Sequence, residues 1–183
     1  MLHDTLEDTS VTKKEIEKEF GEEIAYLIES VTKIDKLRIS DFKIRQAENI
    51  RKMLFATAQD IRVIIIKLAD RLDNMLSLEY FPKDKQKRIA QETLDVYAPI
   101  AYRLGLFNIK WQLDDLAFRY LESKTYQEIK EKVAQKREER ELYLEKIKSV
   151  LEEELIKHNI KAEIKSRPKS FYSIYKKMQK KKY

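Results

Sequence analysis

The sequence predicts a mainly α-helical protein, and three observations carry the prediction. Two glycines and three prolines in 183 residues are too few for the many tight turns of a sandwich or barrel. Charged residues make up 38% of the chain, which suits helices with solvated faces. Apolar residues recur three and four apart along most of its length, which is the spacing of one helical face.

The elements follow in order. Thr12 caps a helix through Phe20, with Glu15 completing a capping box and Gly21 ending it. Ile24, Leu27, Ile28 and Val31 define a second helix, and Ile44, Ala47, Ile50, Met53, Leu54 and Ala58 define another over 41–58. Ile61, Val63, Ile64, Ile65 and Ile66 favour a strand by β-branching. The pattern then runs on through Leu68, Ala69, Leu72 and Met75 at helical spacing, so this stretch reads as a buried helix at the centre of the bundle. Pro82 breaks the chain, and a helix from about Lys83 runs toward Pro99, where a kink is expected before Gly105.

Another helix covers about 108–121, and residues 124–157 form a long, highly charged helical connector, either continuous or interrupted. Asn159 is a helix stop. Lys161 to Ser166 alternate apolar and charged residues, a short strand signal. A last helix of about 170–182 carries Phe171, Ile174, Tyr175 and Met178 on one side and lysines on the other. The change of period places a domain boundary near residue 160.

Composition narrows the chemistry. With no cysteine, any metal is held by nitrogen and oxygen, and a cytoplasmic protein is compatible. No apolar run approaches the roughly 18 residues of a membrane-spanning helix. Residues 165–183 hold eight Lys or Arg and no acid, leaving 30 basic against 32 acidic residues elsewhere. Such a segment either meets phosphate, on a nucleotide or a nucleic acid, or is a solvated tail.

The run HDTLEDT gathers His3, Asp4, Glu7 and Asp8. In a helix, His3 would sit one turn below Glu7 and Asp4 one turn below Asp8. One turn would then bind a metal and the next would handle its water, with manganese, iron, magnesium and zinc all compatible by ligand type. In IKLADRLDNM, Asp70 adjoins the most apolar stretch of the chain. A carboxylate buried there requires a cation, either Arg71, a lysine or a metal. His158 is expected at the surface, and Tyr102 and Trp111 in the core.

HDTLEDT, QAENIRKM at 46–53, IKLADRLDNM, and RIAQETLDVYAPIAYRLG at 88–105 occur in that order. Together they resemble the RelA/SpoT-homologue family of bifunctional (p)ppGpp synthetase/hydrolases. SRPKSFYSIYKKM at 166–178 resembles the first strand and basic helix of that family's synthetase domain. The resemblance implies an HD-domain helical bundle over 1–121, truncated at its amino terminus. A helical connector over 122–159 and the start of an α+β nucleotidyltransferase-like synthetase domain over 160–183 would follow.

The implied activity is metal-dependent removal of the 3′-pyrophosphate of (p)ppGpp, with manganese as cofactor. His3, Asp4 and Asp70 would be metal ligands, Glu7 and Asp8 would orient or deprotonate water, and Asn74 and Ser77 would contact the nucleotide. Arg167, Lys169, Ser173 and Lys177 would contact ATP in a synthetase that uses ATP, GTP or GDP, and magnesium. Ribosome or RNA contact would lie in other regions of the parent protein.

Two departures stand out. Asp73 replaces a usual histidine and Leu76 a usual arginine, adding negative charge near the metal and removing a phosphate partner. The resemblance further implies that a metal-binding histidine and a basic substrate-binding segment precede this stretch. The isolated chain is therefore expected to be weak or inactive, and to expose apolar surface on 22–31 and 61–72 that favours self-association. Two other readings remain open, a noncatalytic helical regulator that contacts RNA and an HD phosphohydrolase acting on another nucleotide.

Overall fold

A computed structural model of the chain describes residues 4–6, 9–35, 60–135, 137–164 and 169–181. The expected helix over 41–58 lies outside the described residues. Contacts divide the chain into two compact units, residues 1–121 and 122–183.

The first unit is helical throughout its described elements: α1 (Lys13–Phe20), α2 (Glu22–Asp35), α3 (Ile61–Leu76), a 3₁₀ turn (Leu78–Tyr80), α4 (Lys83–Glu92), a π turn (Thr93–Tyr97), α5 (Ala98–Arg103) and α6 (Phe107–Leu121). Thr12 and Glu15 form the capping box at the start of α1. Gly21 ends that helix at φ +86°, a conformation that costs an L side chain energy and a glycine little. Ile16 of α1 packs with Ala25 and Ile28 of α2. Asp60 caps α3 by accepting the Arg62 backbone N–H at 2.9 Å. The Arg62 side chain pairs with both Asp60 and Glu23, tying α3 to α2.

The main core joins α3, the 3₁₀ turn, α4, the π turn, α5 and α6 through Ile64, Leu68, Met75, Leu78, Ala90, Val96, Ile100, Leu113 and Ala117. The helical period, rather than the β-branched run at 61–66, decides the structure of α3. Its burial is one-sided: Val63, Ile64 and Leu68 are buried, whereas Ile61 and Ile65 are exposed. Ile24 and Tyr26 on α2 are exposed as well.

Pro99 does not break the helix at its own position. Instead the preceding turn widens to π, with the Ala98 N–H bonded to the Thr93 carbonyl. A proline has no N–H to give the carbonyl four residues back and its ring crowds that carbonyl, so a wider turn just before it relieves both problems. Thr93 Oγ1 donates to the Ile89 carbonyl at 2.8 Å, supplying a partner where the backbone ladder changes step.

Tyr102 and Trp111, expected in the core, are 60% and 40% exposed. Tyr102 meets Phe107 edge-on at 5.8 Å, and Trp111 Nε1 donates to Asn108 Oδ1 at 3.3 Å. Their rings lie on the outer side of α5 and α6, because smaller residues (Ala98, Ala101, Leu113 and Ala117) already fill the facing positions.

The second unit holds α7 (Ser123–Gln135), α8 (Arg137–Lys157) and α9 (Phe171–Lys180), so the long charged region is two helices. Asn159 ends α8 at φ +52°. Its N–H bonds the Ile156 carbonyl at 3.0 Å and the Ile160 N–H bonds the Leu155 carbonyl at 2.9 Å, the paired bonds of a Schellman ending. Lys161–Ile164 are not a strand. Alternation in sequence makes a strand only when a neighbour's backbone pairs with it, and no strand exists among the described residues to do so. Ser170 caps α9 by accepting the Ser173 N–H at 3.3 Å. Tyr126 of α7 meets Phe171 edge-on at 5.5 Å.

Candidate active site

The candidate site is built on the last three turns of α3. Residues 67, 70, 71 and 74 recur at three- and four-residue spacing and so share one side of that helix. Lys67 is 5% exposed and Asp70 9%. Lys67 Nζ lies 2.8 Å from Asp70 Oδ2, and Asn74 Nδ2 donates to Asp70 Oδ1 at 3.3 Å. Of the cations that sequence reasoning left open for Asp70, the structure seats the lysine at hydrogen-bond distance.

Arg71 turns to other partners. Its guanidinium lies 3.9 Å over the Tyr97 ring, with Nη2 3.2 Å from Glu92 Oε2. Its buried Nε has no hydrogen-bond partner among the described residues. Burial pulls Arg71 toward the neutral form, but Tyr97 and Glu92 outweigh it and carry the group above its ordinary value. Burial likewise pushes the Tyr97 phenol up, against the pull of Arg71. The buried side of α3 therefore carries two cations and one anion, with Glu92 supplying the second anion from α4.

Ser77 ends α3, and its hydroxyl donates to the Asp73 carbonyl at 3.1 Å. Asp73, Asn74 and Leu76 are exposed. The turn beyond them is held by buried Gln86, whose Nε2 donates to the carbonyls of Glu79 at 3.2 Å and Phe81 at 2.7 Å. Asp4 lies exposed in the helical segment 4–6. His3, Glu7, Asp8 and Arg167 lie outside the described residues. Among the described residues no group of three or more His, Cys, Asp or Glu is placed to hold a metal ion.

In the second unit, Lys169 and Lys177 are exposed. The Ser173 hydroxyl accepts from Ser170 Oγ at 2.7 Å. His158 is exposed beside Glu154, as expected.

Sequence reasoning did not single out Lys67, Glu92, Tyr97 or Gln86. Only Lys67 carried a signal, a lysine inside an apolar run three residues before an aspartate.

Residues 1–107 match the family model described as HD domain, and the chain belongs to that family. It resembles curated RelA/SpoT-type enzymes over nearly its whole length. It is 52% identical over 179 residues to a guanosine-3′,5′-bis(diphosphate) 3′-pyrophosphohydrolase of Borreliella burgdorferi, covering 98% of this chain and 27% of that protein. It is 48% identical over 182 residues to one of Aquifex aeolicus, covering 99% and 26%. Identity to a GTP pyrophosphokinase of Myxococcus xanthus is 46% over 182 residues, covering 98% and 24%. The chain thus spans about a quarter of the length of these relatives.

An HD hydrolase domain implies a divalent metal. The chemistry at Asp70 fits one, because this buried carboxylate already supports a cation at bonding distance and carboxylate oxygen is a ligand for hard divalent ions. No helix among the described residues is long and apolar enough to cross a membrane.

Proposed function

We propose that the protein to which these residues belong removes the 3′-pyrophosphate of (p)ppGpp, giving GDP or GTP and pyrophosphate. We also propose that it makes (p)ppGpp from ATP and GTP or GDP. The carrying observation is the HD-domain match over residues 1–107, with Asp70 buried and cation-paired inside it. The names borne by the relatives support both directions of the chemistry.

His3, Asp4 and Asp70 would hold the metal, assigned as manganese, which when bound supplies positive charge that acidifies water and offsets phosphate charge. Glu7 and Asp8 would orient the attacking water or take its proton. The water oxygen joins phosphorus as the bond from phosphorus to the 3′-oxygen breaks, and that oxygen leaves protonated. Asn74 and Ser77 hydrogen-bond the guanosine nucleotide.

Residues 1–121 are assigned to the hydrolase domain, 122–159 to a connector and 160–183 to the start of the synthetase. In that last part Arg167, Lys169, Ser173 and Lys177 meet ATP, with magnesium as cofactor. The setting is cytoplasmic. On its own this stretch is expected to be weakly active or inactive and to self-associate through exposed Ile24, Tyr26, Ile61 and Ile65. A monodisperse monomer in sedimentation would remove the second expectation.

The test is manganese-dependent release of pyrophosphate from ppGpp by the purified chain and by Asp70→Ala. Release that needs manganese and vanishes in the variant supports the hydrolase reading. Release that survives Asp70→Ala rejects Asp70 as a ligand. Should neither protein turn over ppGpp, equilibrium dialysis decides: ppGpp retained by the chain and lost on Asn74→Ala supports the site. Salt-dependent RNA binding without ppGpp binding instead favours a noncatalytic regulator.

A further inference from the structure

Lys67 is out of place for a lysine. Long basic side chains normally lay their stems along apolar surface and keep the ammonium in water, yet this one is 5% exposed. It sits among Val63, Ile64 and Leu68 on the buried side of α3. Burying an ion pair in such a place is generally no more stabilising than an apolar packing of the same volume, so fold stability alone does not account for it.

The local charges explain what it does. Lys67 neutralises Asp70 at 2.8 Å, and Glu92 neutralises Arg71 at 3.2 Å. Asp70 therefore already has a cation beside it before any other cation arrives. Both Asp70 oxygens are engaged, Oδ2 by Lys67 and Oδ1 by Asn74. A divalent ion on either oxygen must share it with one of these donors or displace that donor, and it sits within a few ångströms of a buried ammonium, where like charges repel far more strongly than in water.

We propose that Lys67 is an internal competitor for the divalent cation at Asp70. It holds the carboxylate while no cation is present, keeps the end of α3 paired, and raises the cation concentration at which the site fills. This inference rests on the reading of Asp70 as a metal ligand. Arg71 acts on Asp70 through its charge alone, because its guanidinium contacts Glu92 and Tyr97 instead.

The experiment uses the full chain and manganese alone, with unbound ion followed by electron paramagnetic resonance. Lys67→Gln removes the charge but keeps a hydrogen-bond donor for Asp70, while Lys67→Arg keeps the charge. The expected result is binding about tenfold or more tighter in Lys67→Gln, from removal of one nearby positive charge, with Lys67→Arg like the wild type. The gain must vanish when Asp70→Asn is added.

Equal or weaker binding in Lys67→Gln, with the wild type binding normally, overturns the competitor role and leaves the metal reading standing. No manganese bound by folded wild type or by Lys67→Gln rejects Asp70 as a ligand, and this proposal falls with it. A wild-type measurement covers the case in which the variants do not fold. Reductive methylation of Lys67, read by mass spectrometry, should rise several-fold as manganese fills the site. Labelling unchanged at saturating, bound manganese also overturns the proposal.

Discussion

Helices α3 and α8 are both long, charged and interspersed with aliphatic residues, yet they end in opposite environments. In α3, Leu68 and Met75 are fully buried, and the charged residues on the same side are paired inside the core. In α8, no described residue is buried. Its ion pairs, such as Lys148 with Glu152, lie in solvent. The difference is one of pattern. The apolar residues of α3 fall on sides that α6, α2 and the π turn cover, whereas those of α8 include Leu142 and Ile156 well away from Ile147 and Leu151 around the helix. Charge is inexpensive on the second helix and costly on the first. The candidate chemistry sits where it is costly, because a carboxylate held out of water interacts more strongly with a cation.

The sharpest way to break the comparison is Asp70→Ala. It leaves the Lys67 ammonium buried without its carboxylate and is expected to cost about 3–5 kcal/mol in urea unfolding. Adding Lys67→Met should restore most of that loss, and a cost below about 1 kcal/mol would mean that the pair is not sequestered from water. Leu68→Ala should cost about 2–5 kcal/mol by the same measurement, through lost burial and a residual cavity.

Thr12→Ala removes the hydroxyl half of the capping box that starts α1 and should cost about 1 kcal/mol. Tyr97→Phe addresses pH. The Tyr97 phenol lies above its ordinary value of 10.0 in the folded protein, so the folded state holds that proton more tightly than the unfolded chain. Its contribution is therefore fully present below about pH 10 and is lost as pH rises through the folded value. The variant should show a shallower alkaline fall in stability than the wild type, with little change at neutral pH. The smallest effect belongs to α8, where Leu151→Ala should lie within about 0.5 kcal/mol of wild type. A loss comparable to that of Leu68→Ala would show that the outer helix is covered after all.

Much of the fold was legible before the structure. The capping box at Thr12 and Glu15, the stop at Asn159 and the helical period through Leu68 and Met75 are local signals, set by which backbone groups a side chain reaches and which face repeats. The failures have physical causes too. Lys161–Ile164 showed alternation without a partner strand among the described residues. Large aromatic residues at 102 and 111 yielded the core to alanines and leucines. At the candidate site, the need of Asp70 for a cation could be read from its apolar neighbours. The choice of Lys67 over Arg71 could not, because both lie within one helical turn of Asp70.

By itself the sequence determined the helical class, the ends of several helices, the absence of thiolate ligands, and the motif order that resembles RelA/SpoT enzymes. All of these follow from residue type and short-range spacing. Only the tertiary structure decided that Arg71 turns to Tyr97 and Glu92 while Lys67 is sealed against Asp70. Glu92 and Tyr97 stand 21 and 26 positions along the chain from Arg71, and they meet it only because α4 and the π turn pack into the same core as α3.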